Sequence, residues 1–169
     1  MMTKTPKAST NPHTGSDSIE EQVQLRQSRA RVWRALTDPD ELGAWFGANL
    51  AGATIAPGVH VVGRITIPNY EHVVFDAEIE EMVPERRFSW RWHPNNVEKG
   101  VDYSAEPRTL VTFTLDDAPG GGTLLRIVES GFSALPAERR ATAFAGNSGG
   151  WRVQLQKRLP AYLDNSHHS

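Results

Sequence analysis

Cysteine is absent from the 169 residues, which excludes disulfide frameworks, CxxC redox chemistry, thiolate nucleophiles and cysteine-ligated zinc or iron–sulfur sites. Such a chain suits a reducing compartment, and the cytoplasm is the expected location. No apolar run approaches the roughly 18 residues of a membrane span, and the opening stretch MMTKTPKASTNPHTGSDS lacks the apolar core of a secretory signal. No membrane partner is therefore expected. A charge excess is missing as well: 18 basic against 20 acidic side chains leave a formal charge of −2, too little to draw in nucleic acid. His60, His72 and His93 stand far apart, without HExxH or facial-triad spacing, so neither a metal nor a cofactor is expected.

What is present is 38% apolar and 22% charged, the balance of one globular domain. Residues 1–18, with Pro6, Pro12 and many Ser, Thr and Asn, read as a disordered tail. Residues 19–163 read as a single domain and residues 164–169 as a short polar tail.

Ile19, Val23 and Leu25 among Glu and Gln predict a half-buried strand ending near Ser28. Ser28 is a helix N-cap candidate, Ala30, Val32, Trp33 and Leu36 follow at helical spacing, and Thr37-Asp38-Pro39 stops the turn. A second short helix carries Leu42, Trp45 and Phe46 and ends at Gly47. Strands are expected over residues 59–67, with a bulge or close packing at Gly63, and over 71–83, with Val73, Phe75, Ala77 and Ile79 on one face. Further strands follow over 87–92, 108–115 and 123–130, the last two joined by the turn DDAPGGG. Residues 136–163 carry Phe144, Trp151, Leu155, Leu159 and Tyr162 as a helical stripe. Gly146, Gly149 and Gly150 should interrupt the first half of that helix, and Pro160 should kink or frustrate its last turn. The fold class is α+β.

The segments ARVWRALTDPDELGAWFG (residues 30–47), GTLLRIVESGF (122–132) and GNSGGWRVQLQKRLPAYL (146–163) resemble the Hsp90-ATPase-activator-like family. That family lies in the START-like, or SRPBCC and Bet v 1-like, helix-grip superfamily. The resemblance implies a curved antiparallel sheet of about six or seven strands wrapped around the long C-terminal helix, with a pocket between them. It implies no reaction, because the superfamily holds lipid carriers, cyclases and receptors alike. The eukaryotic activator that lends the family its name carries a separate docking domain where this chain has its tail, so chaperone activation is not the leading expectation. A stress-related or metabolic bacterial setting is only suggested.

Aromatic residues are the first site candidates. Phe88, Trp90 and Trp92 share one strand face, a bulky row for one helix to cover, and Trp45, Phe46, Phe75, Phe113, Phe132 and Trp151 join them as candidate ligand-binding residues. Each singly suits a core. Glycines at 146, 149 and 150 opposite that row imply either close helix–sheet packing or room for a ligand. Glu129 falls on the inner face of its strand with Leu125 and Ile127. It is therefore either a polar anchor or acid/base in the pocket, or a residue at the rim or paired with an arginine. Tyr103 and His93 belong to the long 93–107 loop, a candidate lid, and are second polar candidates. Gly146-Asn147-Ser148-Gly149-Gly150 spells G-x-S-x-G, but its helical context is not that of a nucleophile elbow. Gly120-Gly121-Gly122 precedes no helix and reads as a hairpin turn.

The leading expectation is binding of a small, largely apolar or amphipathic molecule, with no residue assigned as catalytic. Its rivals are a cyclase, aromatase or hydrolase using Glu129, Tyr103 or His93 in the same cavity, and a protein-interaction role akin to chaperone activation. A homodimer is left open.

Overall fold

A computed structural model of the chain describes residues 17–165, so the expectations for residues 1–16 and 166–169 lie outside the described residues. Strand β1 (Ser18–Leu25) leads through the Ser28 cap, whose hydroxyl accepts from the Arg31 N–H, into α1 (Arg29–Thr37). Asp38 caps α2 (Pro39–Phe46), which ends at Gly47 with φ 97°. Then come β2 (His60–Arg64), β3 (Val74–Val83), β4 (Arg87–Trp92), β5 (Thr109–Asp117) and β6 (Thr123–Ser130). A 3-10 turn (Phe132–Ala134) precedes the C-terminal helix, made of α3 (Ala137–Val153), a π-helical turn (Gln154–Arg158) and α4 (Leu159–Asn165). The six strands form one antiparallel sheet in the order β1-β6-β5-β4-β3-β2. Curled against the 29-residue helix, this is the helix-grip fold that the resemblance implies. No helix of the described residues is long and apolar enough to cross a membrane.

Alternation puts Phe75, Ala77 and Ile79 of β3, Phe88 and Trp90 of β4, Val111, Phe113 and Leu115 of β5 and Leu125 and Ile127 of β6 on the buried face. Onto it the helix lays Trp151, Leu155, Leu159 and Leu163, four residues apart. At the two ends of the described elements, Ser18 pairs with Ser130 and the helix continues to Asn165.

The helix also differs from expectation in where it is irregular. It runs unbroken through Gly146, Gly149 and Gly150 and departs from α geometry only at Gln154–Arg158, just before Pro160. Proline donates no backbone hydrogen bond and its ring collides with the carbonyl four residues earlier; a wider π turn relieves that conflict. At Gly63 the packing alternative holds. The chain after α2 runs beside β2, with Asn49 N–H donating to Arg64 O at 2.9 Å and Thr66 N–H to Gly47 O at 2.8 Å. A Cβ at Gly63 would drive into the carbonyl oxygen of Asn49 and the side chain of Leu50.

One ion-pair network binds the short helices to the end of the long one. Buried Arg31 of α1 pairs with Glu41 of α2 at 2.8 Å, Arg34 donates to the same carboxylate at 2.9 Å, and the Tyr162 hydroxyl of α4 donates to it at 2.8 Å. Burial pushes the Glu41 carboxyl up, yet the hydrogen bonds from Tyr162 and Arg31 and the charge of Arg31 outweigh it and hold the group below its ordinary value of 4.5. A folded-state value below the unfolded one stabilises the fold above the unfolded value, and that stabilisation is lost as pH falls through the folded value.

Two outcomes are expected. Gly63→Ala lowers stability by about 2 kcal/mol through backbone overpacking, seen as a fall in Tm by differential scanning calorimetry; an unchanged Tm would refute the close approach. Glu41→Gln costs about 3 kcal/mol at neutral pH by orphaning buried Arg31. In chemical unfolding followed from pH 7 downward, its stability also falls less steeply than wild type below the ordinary carboxyl value of 4.5.

Candidate functional site

Glu129 lies on the inward-facing register of β6 and is 0% exposed. Its carboxylate accepts from the indole N–H of Trp92 at 2.8 Å and the Thr109 hydroxyl at 2.6 Å on Oε2, and from the indole N–H of Trp151 at 2.7 Å on Oε1. Asn147 Nδ2 donates to both oxygens, at 3.0 and 3.1 Å. Every one of these partners is neutral, and together they supply what an acceptor-only group requires when water is excluded. Trp92 and Thr109 are register partners at the end of β4 and the start of β5, while Asn147 and Trp151 stand four residues apart on one face of α3.

Beside this cluster lies a cavity of about 350 Å³. Phe46, Ile65, Ile67, Val73, Phe75 and Trp92 give its apolar walls, and Gly146 and Gly150, one turn apart, present a bare strip of helix. An adjoining alcove of about 110 Å³ is lined by Phe46, Trp92, Asn147, Gly150, Trp151 and Gln154. The two share most of the alcove's residues and form one site. A separate hollow of about 440 Å³ between α2 and α4, at Ala44, Trp45, Arg158 and Tyr162, is larger but shallow and open on the surface.

The loop between β4 and β5 supplies the outer wall through His93, Asn95, Asn96 and Val97. It is tied down at both ends. Arg139 of α3 donates from Nε to both oxygens of Glu106 at 3.1 Å and from one terminal nitrogen to Pro94 O at 2.8 Å, with its guanidinium 4.7 Å from the centre of the Tyr103 ring. On the opposite side His72 Nε2 donates to Val97 O at 2.6 Å.

The ten sequence candidates separate by depth. Phe46, Phe75 and Trp92 line the cavity, Trp151 lines the alcove, and Glu129 sits behind the alcove wall, held by residues that line it. Trp45, Phe88, Trp90, Phe113 and Phe132 are buried in the core and line neither space. Trp45 is fixed there by its indole N–H, which donates to Ala35 O at 2.8 Å. Neither rim exposure nor an arginine accounts for Glu129. Tyr103 turns its hydroxyl to the Glu98 N–H, and His93 lines the cavity with Nε2 on Glu106 O. Ser148 is half-buried within α3, without the strand–turn–helix context of an elbow. Sequence reasoning missed Asn147, Thr109 and Gln154; the signal for Asn147 was its spacing of four from Trp151 on an otherwise apolar helix face. Among the described residues, no group of three or more His, Cys, Asp or Glu is placed to hold a metal ion.

The model of a family described as "Activator of Hsp90 ATPase homolog 1-like protein" matches residues 26–164. Among solved structures, protein MLL2253 from Mesorhizobium loti is similar at 25% identity and a TM-score of 0.65, covering 89% of this chain and 99% of that one. Protein Ms6760 from Mycobacterium smegmatis is similar at 20% identity and a TM-score of 0.68, covering 89% and 93%. The Aha1 dimer from Colwellia psychrerythraea is similar at 18% identity and a TM-score of 0.65, covering 89% and 98%. No curated protein matches the chain.

Replacing the acceptor at the centre of five donor contacts should cost far more than removing one donor. Glu129→Gln, which puts an amide N–H₂ in place of one carboxylate oxygen and so sets it against either Trp92 or Trp151 as well as Asn147, is expected to destabilise the fold by about 3 kcal/mol, and Asn147→Ala by about 1 kcal/mol. Urea denaturation of both variants checks this, and equal losses would show that the carboxylate does not organise the cluster.

Proposed function

The chain belongs to the activator of Hsp90 ATPase homolog 1-like family, and from that premise we propose that it binds a small, largely apolar molecule in the cavity between the sheet and the C-terminal helix. A volume of about 350 Å³ falls within the range of small-molecule sites, and apolar walls with a few convergent polar groups are their usual lining. The observation that carries the reading is Gly150. A glycine in a helix interior costs roughly 1 kcal/mol against alanine, and close packing accounts for that cost only at Gly146, whose Cβ would come within 2.9 Å of Asn95 Oδ1. At Gly150 a Cβ would meet nothing within 4 Å, and the residue lines both the cavity and the alcove. Space for a ligand is the return for leaving that position bare. Gly149, whose Cβ would also meet nothing, lines neither space, and nothing in the structure explains it.

Gly150→Leu therefore puts a side chain into the site from a position whose Cβ meets no neighbour, and with a better helix former. The variant is expected to keep or raise its Tm while binding a solvatochromic apolar dye at least about tenfold more weakly than wild type, a difference of about 1.4 kcal/mol. Gly149→Leu, one position off the site, should bind the dye as wild type does. Equal binding by all three proteins would refute the cavity as the binding site.

A further inference from the structure

Two amide side chains reach the cavity with their orientation fixed from behind. Gln154, 8% exposed, donates from Nε2 to Phe46 O at 2.9 Å. A backbone carbonyl only accepts, so the amide nitrogen must lie on that side and Oε1 on the other. That oxygen is buried and has no hydrogen-bond partner among the described residues. Asn147 is set in the same way: its nitrogen faces the two oxygens of Glu129, so its oxygen faces away from the carboxylate. Both residues line the cavity and the alcove. Gln154 also opens the π turn, a distortion found frequently at functional sites.

The rest of the alcove is of one electrostatic kind. The rings of Phe46, Trp92 and Trp151 meet there with centroids 5.8 to 6.1 Å apart. Both indole N–H groups are already given to Glu129, so neither is left to donate to a ligand. Among the described residues no lysine or arginine lines either space. The alcove therefore offers acceptors, aromatic rings and a buried carboxylate behind them, its own donor side chains being engaged with Glu129 and Phe46 O, while Tyr70, His93, Asn95 and Asn96 lie on the wall of the outer cavity.

We propose that the alcove selects ligands whose apolar body ends in a hydrogen-bond donor, an amine in its ammonium form ahead of an alcohol, and that it rejects ligands ending in a carboxylate or phosphate. This rests on the reading of the cavity as a ligand site. A donor entering the alcove is placed to satisfy the stranded oxygen of Gln154 and the oxygen of Asn147. An ammonium group gains further from the adjacent rings and from the field of Glu129, whereas an anion in the alcove meets donors already given to Glu129 and Phe46 O.

Four probes sharing a phenyl ring and a two-carbon arm test this on the full chain: ethylbenzene, 2-phenylethanol, 2-phenylethylamine and 3-phenylpropanoate. Their affinities are read by tryptophan fluorescence and isothermal titration. The amine is expected to bind about tenfold more tightly than ethylbenzene, with the alcohol between them and the carboxylate weakest. In Gln154→Met, which keeps the length and loses the acceptor, the amine's advantage should shrink toward unity while ethylbenzene binding persists. A carboxylate bound as tightly as the amine, or an amine advantage that survives in folded Gln154→Met, overturns the proposal. Should Gln154→Met fail to fold, the wild-type ranking decides, and parity between amine and ethylbenzene overturns it. Equal binding of all four probes leaves the cavity standing and removes only the donor preference; binding of none removes both.

Discussion

A carboxylate shut away from water with no cation beside it has to be surrounded by donors, and Glu129 imposes that requirement on the whole molecule. Its own strand cannot meet it. The donors come from the end of β4, the start of β5 and one face of α3, so the height and rotation of the helix over the sheet are dictated by where Asn147 and Trp151 must stand. Because stripping a single partner leaves the charge unsatisfied in a medium of low polarity, the arrangement tolerates little sliding. Apolar packing alone would not define it so narrowly, since methyl and ring contacts exchange at small cost when total volume is kept.

The two halves of the C-terminal helix are consequently put to different uses. Beyond the π turn, Leu159 and Leu163 pack into the core and Tyr162 joins the Arg31–Glu41 network. Before it, α3 is held off the sheet by the tryptophan and asparagine that reach down to Glu129, and the glycines leave the remaining gap unfilled. The loop after β4 closes the outer side of that gap and is fastened by Arg139 and His72. A cavity can stay open in a small domain only if its walls are braced independently of any contents, and here each wall has its own brace.

Much of this was legible in the residues, because period-2 and period-4 patterns report which face of an element is buried. The inner-face assignment of Glu129 followed from alternation with Leu125 and Ile127, and the buried stripe of the helix from its spacing. Depth was not legible. Trp90 and Trp92 share a strand face, yet the first is core and the second a cavity wall, because that difference depends on where a helix some sixty residues later crosses the sheet. For the same reason the donors to Glu129 were hidden: they come from three elements, and the resemblance of Gly146–Gly150 to a nucleophile elbow drew attention to Ser148 rather than to Asn147. The glycines illustrate the limit most sharply, since Gly146 and Gly150 look alike in sequence while one is pressed against Asn95 and the other borders empty space. Pro160 signalled a disturbed helix, and the disturbance takes the form of a π turn on its N-terminal side.

The pairing of β1 with β6 has a consequence in time as well as in space. The strands β2 to β6 form a simple meander, each able to join its predecessor as soon as it leaves the ribosome, whereas β1 is made first and finds its partner only about a hundred residues later. Throughout that interval it is an unpaired edge in a growing chain, the kind of element on which misassembly feeds. Its composition suits the wait: Glu20, Glu21, Gln22 and Gln24 outnumber Ile19, Val23 and Leu25 and keep it a poor template for self-association until Thr123–Ser130 arrives to claim it.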